Sequence, residues 1–81
     1  MEIRVRLFAV LREKIGYEEI KLEGTDGLKC HEVLSFFKKK FEELTPILER
    51  SFIAINGTYA DSDAFLKPGD ELAILPPVSG G

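Results

Sequence analysis

The 81-residue sequence predicts an α+β fold: a small mixed sheet with one main helix packed on one face, ending in a slim C-terminal tail. Three observations predict it. Residues 2–9 alternate aliphatic and charged side chains, the period of a half-buried strand. Residues 30–44 carry Val33, Leu34, Phe37, Phe41 and Leu44 at helical spacing. Residues 71–75 alternate again and run directly into Pro76, Pro77, Val78, Ser79, Gly80 and Gly81.

The elements follow in chain order. In residues 2–9, Ile3, Val5 and Leu7 share one face while Arg4, Arg6 and Phe8 share the other, so Phe8 is a large aromatic among arginines. Residues 10–15 read as a short helical turn stopped by Gly16, and residues 18–22 as a second strand with Ile20 and Leu22 facing one way. Gly24, Thr25, Asp26 and Gly27 form a turn before the main helix, whose Lys38, Lys39 and Lys40 fall mostly off its apolar stripe and read as a solvated surface. Pro46 ends the helix or begins a turn, and Ile47 and Leu48 cover the core ahead of a strand over residues 52–55. Asn56-Gly57 is a tight-turn pair leading to a short strand at Thr58, Tyr59 and Ala60. Lys67, Pro68, Gly69 and Asp70 launch the last strand, with Leu72 and Ile74 toward the core and Ala73 and Leu75 on the opposite side. Residues 1–75 are thus expected to be one domain body and 76–81 its tail.

Bulk properties narrow the function. A chain of this length builds one core and has little room for a multi-step active-site cleft. At 44% hydrophobic and 31% charged residues it is expected to fold, and its net charge of −3 provides no basic footprint for nucleic acid. No apolar run is long enough for a membrane span or signal peptide, so a cytoplasmic location is expected. Cys30 and His31 are adjacent and form a poor ligand pair, so no metal site is expected. A thiol near a helix N-terminus can have a lowered pKa, but the simpler expectation is a half-buried Cys30 beside an exposed His31. Gly24 and Gly27 lack the lysine and third glycine of nucleotide loops. Asp61, Asp63, Asp70 and Glu71 fall in expected turns, where carboxylates serve the backbone. Nothing here supports a hydrolase or an oxidoreductase.

The tail carries the chemistry. Two terminal glycines arise by chance in roughly one chain in two hundred. Glycine has no side chain, so Gly80 and Gly81 form a slim, flexible tip able to thread a channel that rejects larger residues, while Pro76 and Pro77 stiffen its base. A free carboxylate is a poor electrophile. Activation by an ATP-using partner would convert the Gly81 carboxylate to an acyl-adenylate, open to a sulfur nucleophile or an amine.

The segments Leu7-Phe8-Ala9, Leu11-Arg12-Glu13 with Gly16, Ala54-Ile55-Asn56, Gly69-Asp70-Glu71-Leu72-Ala73 and residues 76–81 together resemble the MoaD-type sulfur carriers, the small subunits of molybdopterin synthase. The resemblance spans nearly the whole chain and implies a ubiquitin-like β-grasp fold. It implies that Gly81 is adenylated by a partner enzyme and then thiocarboxylated, with no cofactor bound and ATP consumed by that partner. Val78, Ser79 and Gly80 would enter the large synthase subunit, in a heterotetramer of two small and two large subunits. There the sulfur would convert cyclic pyranopterin to molybdopterin. The resemblance further implies a docking patch at Phe8, Tyr59 and Leu75, and leaves Arg12 as either structural or partner-facing. A ubiquitin-like protein modifier, or a sulfur carrier for thiamine or transfer-RNA thiolation, shares the same tail chemistry.

Overall fold

The computed structural model describes residues 1–77. Nine elements follow one another: β1 (Glu2–Leu7), α1 (Ala9–Ile15), β2 (Glu19–Glu23), α2 (Cys30–Lys40), a 3-10 turn (Glu42–Leu44), α3 (Thr45–Arg50), β3 (Phe52–Ile55), β4 (Thr58–Ala60) and β5 (Glu71–Leu75). The strands form one five-stranded sheet in the order β2-β1-β5-β3-β4. β1 and β5 run parallel at its centre, and every other pairing is antiparallel. This is the mixed sheet and single long helix of the β-grasp arrangement.

Alternation in the strands decides which face α2 covers. Ile3, Val5, Leu7, Ile53, Leu72 and Ile74 are all buried and cluster with Cys30, Val33 and Phe37 of α2. Burying a side chain the size of Leu or Phe stabilises by roughly 1.5–3 kcal/mol, so this single layer supplies most of the driving force. Phe37 sits at its middle, fully buried and stacked 6.1 Å from the Phe41 ring.

Several boundaries differ from the sequence expectation, each for a local reason. β1 stops at Leu7, because Ala9 takes a positive φ of 50° and turns the chain into α1. Gly16 closes α1 as expected, with φ 91° and its N–H donated to the Arg12 carbonyl at 2.8 Å. The second strand lies at Glu19–Glu23, one residue later than expected. The expected helix over residues 30–44 is broken: Phe41 leaves the helical region at φ −128°, ψ 70°, and α2 ends at Lys40. Pro46 lacks an N–H and could not continue a helix in its interior, but it sits comfortably in the first turn of a new one, α3. The 3-10 turn between them still points Leu44 into the core.

The start of α2 is occupied by the chain itself. Cys30 N–H donates to the Ala64 carbonyl at 3.0 Å and His31 N–H to the Ser62 carbonyl at 2.9 Å. Lys29 N–H donates to Glu32 Oε1 at 3.0 Å. These bonds use donors that a helix N-terminus would otherwise offer an anion.

Candidate functional site

The uncovered face of the sheet is the candidate site, and strand register builds it. Arg6 pairs with Ala73, Ala73 with Ala54, and Ala54 with Tyr59, so these four side chains form a row across β1, β5, β3 and β4. Leu75 pairs with Phe52 to start the next row toward the C-terminal end of β5. Phe8 follows Arg6 on the same side, and the Arg6 guanidinium lies 5.6 Å from the centre of its ring. The three docking residues expected from the sequence, Phe8, Tyr59 and Leu75, therefore share one face.

Phe52 belongs with them and was not among the expected residues. It is 62% exposed, opposes Leu75, and meets the 75%-exposed Tyr59 edge-on at 6.3 Å. Small residues lie between the large ones, with Ala54 buried and Ala73 half-buried. The result is an apolar seat on the open face, at the end of central strand β5 that leads into Pro76 and Pro77. A cluster of exposed aromatics around small residues is the usual character of a protein contact surface. Gly81, Gly80, Ser79 and Val78 lie outside the described residues.

Two features hold the seat's frame. Asn56 takes a positive φ of 50° ahead of Gly57, closing the β3–β4 hairpin. Its side chain donates to Asp70 Oδ1 at 2.9 Å and accepts from Glu71 N–H at 3.0 Å, tying that hairpin to the start of β5. Asp70 also receives the Lys67 N–H at 2.8 Å, which is the backbone role expected of a turn aspartate. Glu71, which the sequence places both beside the turn and at the start of the last strand, is the first residue of β5, and its carboxylate points to Arg4 and Arg6.

The remaining candidates are dispersed. Cys30 is fully buried rather than half-buried, and burial pushes its thiol pKa up, a backbone hydrogen bond opposing and Asp70 adding to the rise. A buried neutral thiol is inert, so the helix-start activation weighed from the sequence does not occur. His31 is exposed, with Nε2 4.0 Å from Asp63 Oδ1. Arg12 is exposed on α1. Among the described residues no group of three His, Cys, Asp or Glu side chains could hold a metal ion, and no helix is long and apolar enough to cross a membrane.

Comparison with known proteins fits this geometry. Residues 5–81 match the ThiS family model. A molybdopterin synthase sulfur carrier subunit from Arabidopsis thaliana is 36% identical over all of this chain and 84% of its own length. In a solved complex of subunits 1 and 2 of the molybdopterin-converting factor from Helicobacter pylori, one chain is 30% identical with a TM-score of 0.71, each chain covered in full. The small archaeal modifier protein 1 from Methanosarcina acetivorans is 34% identical with a TM-score of 0.82, covering 99% of this chain and 96% of its own. With a family model spanning nearly its whole length and full-length relatives of the same kind, the chain belongs to the ThiS family, beside the molybdopterin synthase sulfur carrier subunits.

Proposed function

We propose that this chain is the sulfur-carrier subunit of a molybdopterin synthase, carrying sulfur as a thiocarboxylate on Gly81. The observation that carries the reading is the full-length similarity to molybdopterin synthase sulfur carrier subunits, at 36% identity in the plant relative. The folded body is consistent with it: an open sheet face bearing Phe52, Tyr59 and Leu75 lies at the end of β5 that leads into Pro76, and the single thiol is buried. In the proposed cycle an adenylating enzyme joins the Gly81 carboxylate to AMP, releasing pyrophosphate. A sulfur nucleophile then displaces AMP, and the product is the thiocarboxylate. The large subunit seats Phe8, Phe52, Tyr59 and Leu75 while residues 78–81 enter its active site, in an assembly of two small and two large subunits. The sulfur bonds to the pyranopterin precursor and water at the carbonyl restores the carboxylate. The protein contributes positioning and a carrier carbonyl, and its location is the cytoplasm, where a free cysteine stays reduced.

The deciding experiment is a single turnover of thiocarboxylated protein with the large subunit and the cyclic pyranopterin. Dithiolene formation with return of the Gly81 peptide to carboxylate is expected; a thiocarboxylate that persists would overturn the reading. Extending the tail by one residue should abolish transfer and leave the melting temperature unchanged.

A second reading is favoured by the similarity to the archaeal modifier protein. There the activated Gly81 carbonyl would pass to a lysine amine as an isopeptide. A ladder of covalent conjugates, absent when Gly81 is deleted, would mark that outcome.

A further inference from the structure

The open face is not only apolar. Beside the seat, Arg4 and Arg6 stand two residues apart on β1 with side chains 43% and 39% exposed, and both reach the same Glu71 Oε2, at 3.8 and 3.9 Å. One carboxylate cannot neutralise two guanidiniums, and at those distances neither guanidinium is committed to a direct hydrogen bond. Register adds Lys21 directly opposite Arg4 and Glu19 directly opposite Arg6. This stretch of the face carries Arg4, Arg6 and Lys21 against Glu71 and Glu19, and the next pair on the same face, Glu2 opposite Glu23, is acidic, so the positive charge is confined to the rows of Arg4 and Arg6. The Arg6 guanidinium is meanwhile steadied against the Phe8 ring of the seat itself, which lowers the entropy cost of using it.

We infer that Arg4 and Arg6 form a cationic rim to the docking seat and that the protein receiving the tail presents a carboxylate cluster to it. The inference rests on the proposed synthase role for the identity of that protein, the large subunit, and adds the chemistry of its contact surface. The rim is continuous with the seat through Arg6 and Phe8, so a partner covering Phe8 also covers Arg6. A half-exposed charge at an interface rim acts chiefly on the rate of encounter, and its effect weakens as salt rises.

The test measures association and dissociation rates of the full chain with the large subunit at low and high ionic strength. The Arg4→Gln, Arg6→Gln double variant should associate about tenfold more slowly at low salt, lose most of its salt dependence and keep its dissociation rate within about twofold. Glu71→Gln should move the other way, associating about two to three times faster, a gain that misfolding cannot imitate. Phe8→Ala with Leu75→Ala should instead raise the dissociation rate at every salt concentration. Parent-like rates and salt slope in the double arginine variant would overturn the rim while leaving the seat intact. Slower association of Glu71→Gln would overturn it as well. Failure of the parent chain to bind the large subunit would overturn both the rim and the synthase reading.

Discussion

Leu72 and Ala73 are neighbours in β5, yet they belong to opposite and unlike faces of the sheet. Leu72 faces α2, is fully buried, and pairs across the sheet with Val5 and Ile55. Ala73 faces outward in a row with Arg6, Ala54 and Tyr59. The covered face is aliphatic, closely packed and without a polar group, as a small domain must be to hold together. The open face mixes exposed aromatics, small residues and charges, a composition that contributes little to folding and resembles that of protein contact surfaces. Alternation along five short strands lets one sheet satisfy both demands, because substitutions on one face leave the other in place.

The largest test of that division is Phe37→Ala. It removes the central side chain of the covered layer, fully buried between α2 and the sheet, and large-to-small changes of this kind cost about 3–5 kcal/mol. Total stabilities of domains lie near 5–15 kcal/mol, and one this small sits toward the bottom of that range. Urea unfolding followed by circular dichroism should show the midpoint fall by more than half, with docking lost only because the fold is lost. A variant that stays folded but fails to dock would break the division.

Asn56 tests the joint between the two faces. Asn56→Ala deletes the bonds to Asp70 and Glu71 and forces alanine into a positive φ, for an expected loss of about 1–2 kcal/mol. Asn56→Gly relieves the backbone and should recover part of that loss, leaving only the missing hydrogen bonds. Equal losses in the two variants would show that backbone conformation is irrelevant here.

How far the sequence disclosed this arrangement depends on the element. β1 and β5 were legible because Ile3, Val5, Leu7 and Leu72, Ile74 alternate strictly with polar or small partners. The break after Lys40 was hidden because Phe41 and Leu44 continue the helical spacing even though Phe41 has left the helix; a 3-10 turn keeps the same side facing the core. Only Pro46 signalled it. Phe8, Tyr59 and Leu75 could be gathered from the resemblance, and the register places them on one face. Phe52 was missed because in Phe-Ile-Ala-Ile both alternate sets are apolar, so the strand by itself does not declare its outer side. The two-residue Asn56-Gly57 turn fixes the phase, since it places Ala54 opposite Tyr59 and hence Phe52 outward. Full burial of Cys30 accompanies hydrogen bonds from the helix start to the Ser62 and Ala64 carbonyls, long-range contacts without a local pattern.

A smaller effect comes from Cys30 itself. Its folded pKa is raised by burial, so the native chain holds the thiol proton at pH values where the unfolded chain releases it. The contribution is complete below the ordinary thiol value of 9.0 and is lost as pH rises through that value toward the raised one. Stability measured from pH 8 to 10.5 should fall more steeply in the parent than in Cys30→Ala, whose starting stability is lower. Parallel curves would show that the thiol does not titrate differently on folding.

The smallest effect on the fold is expected at the residue that sharpens the comparison most. Phe52 is 62% exposed on the open face, so Phe52→Ala should change stability by no more than about 0.5 kcal/mol. In the docked complex the same ring would be covered together with Leu75 and Tyr59, and exposed aromatics that become buried at an interface commonly contribute 1–2 kcal/mol or more. Binding to the large subunit should therefore weaken by about tenfold, through a faster dissociation rate, while the unfolding midpoint stays almost fixed. Ile53→Ala, one residue along the same strand, should show the reverse, a lowered midpoint with rates unchanged in the fraction that remains folded. If both substitutions moved stability and binding together, the two faces of the sheet would be coupled, and the seat would have to be read as part of the core.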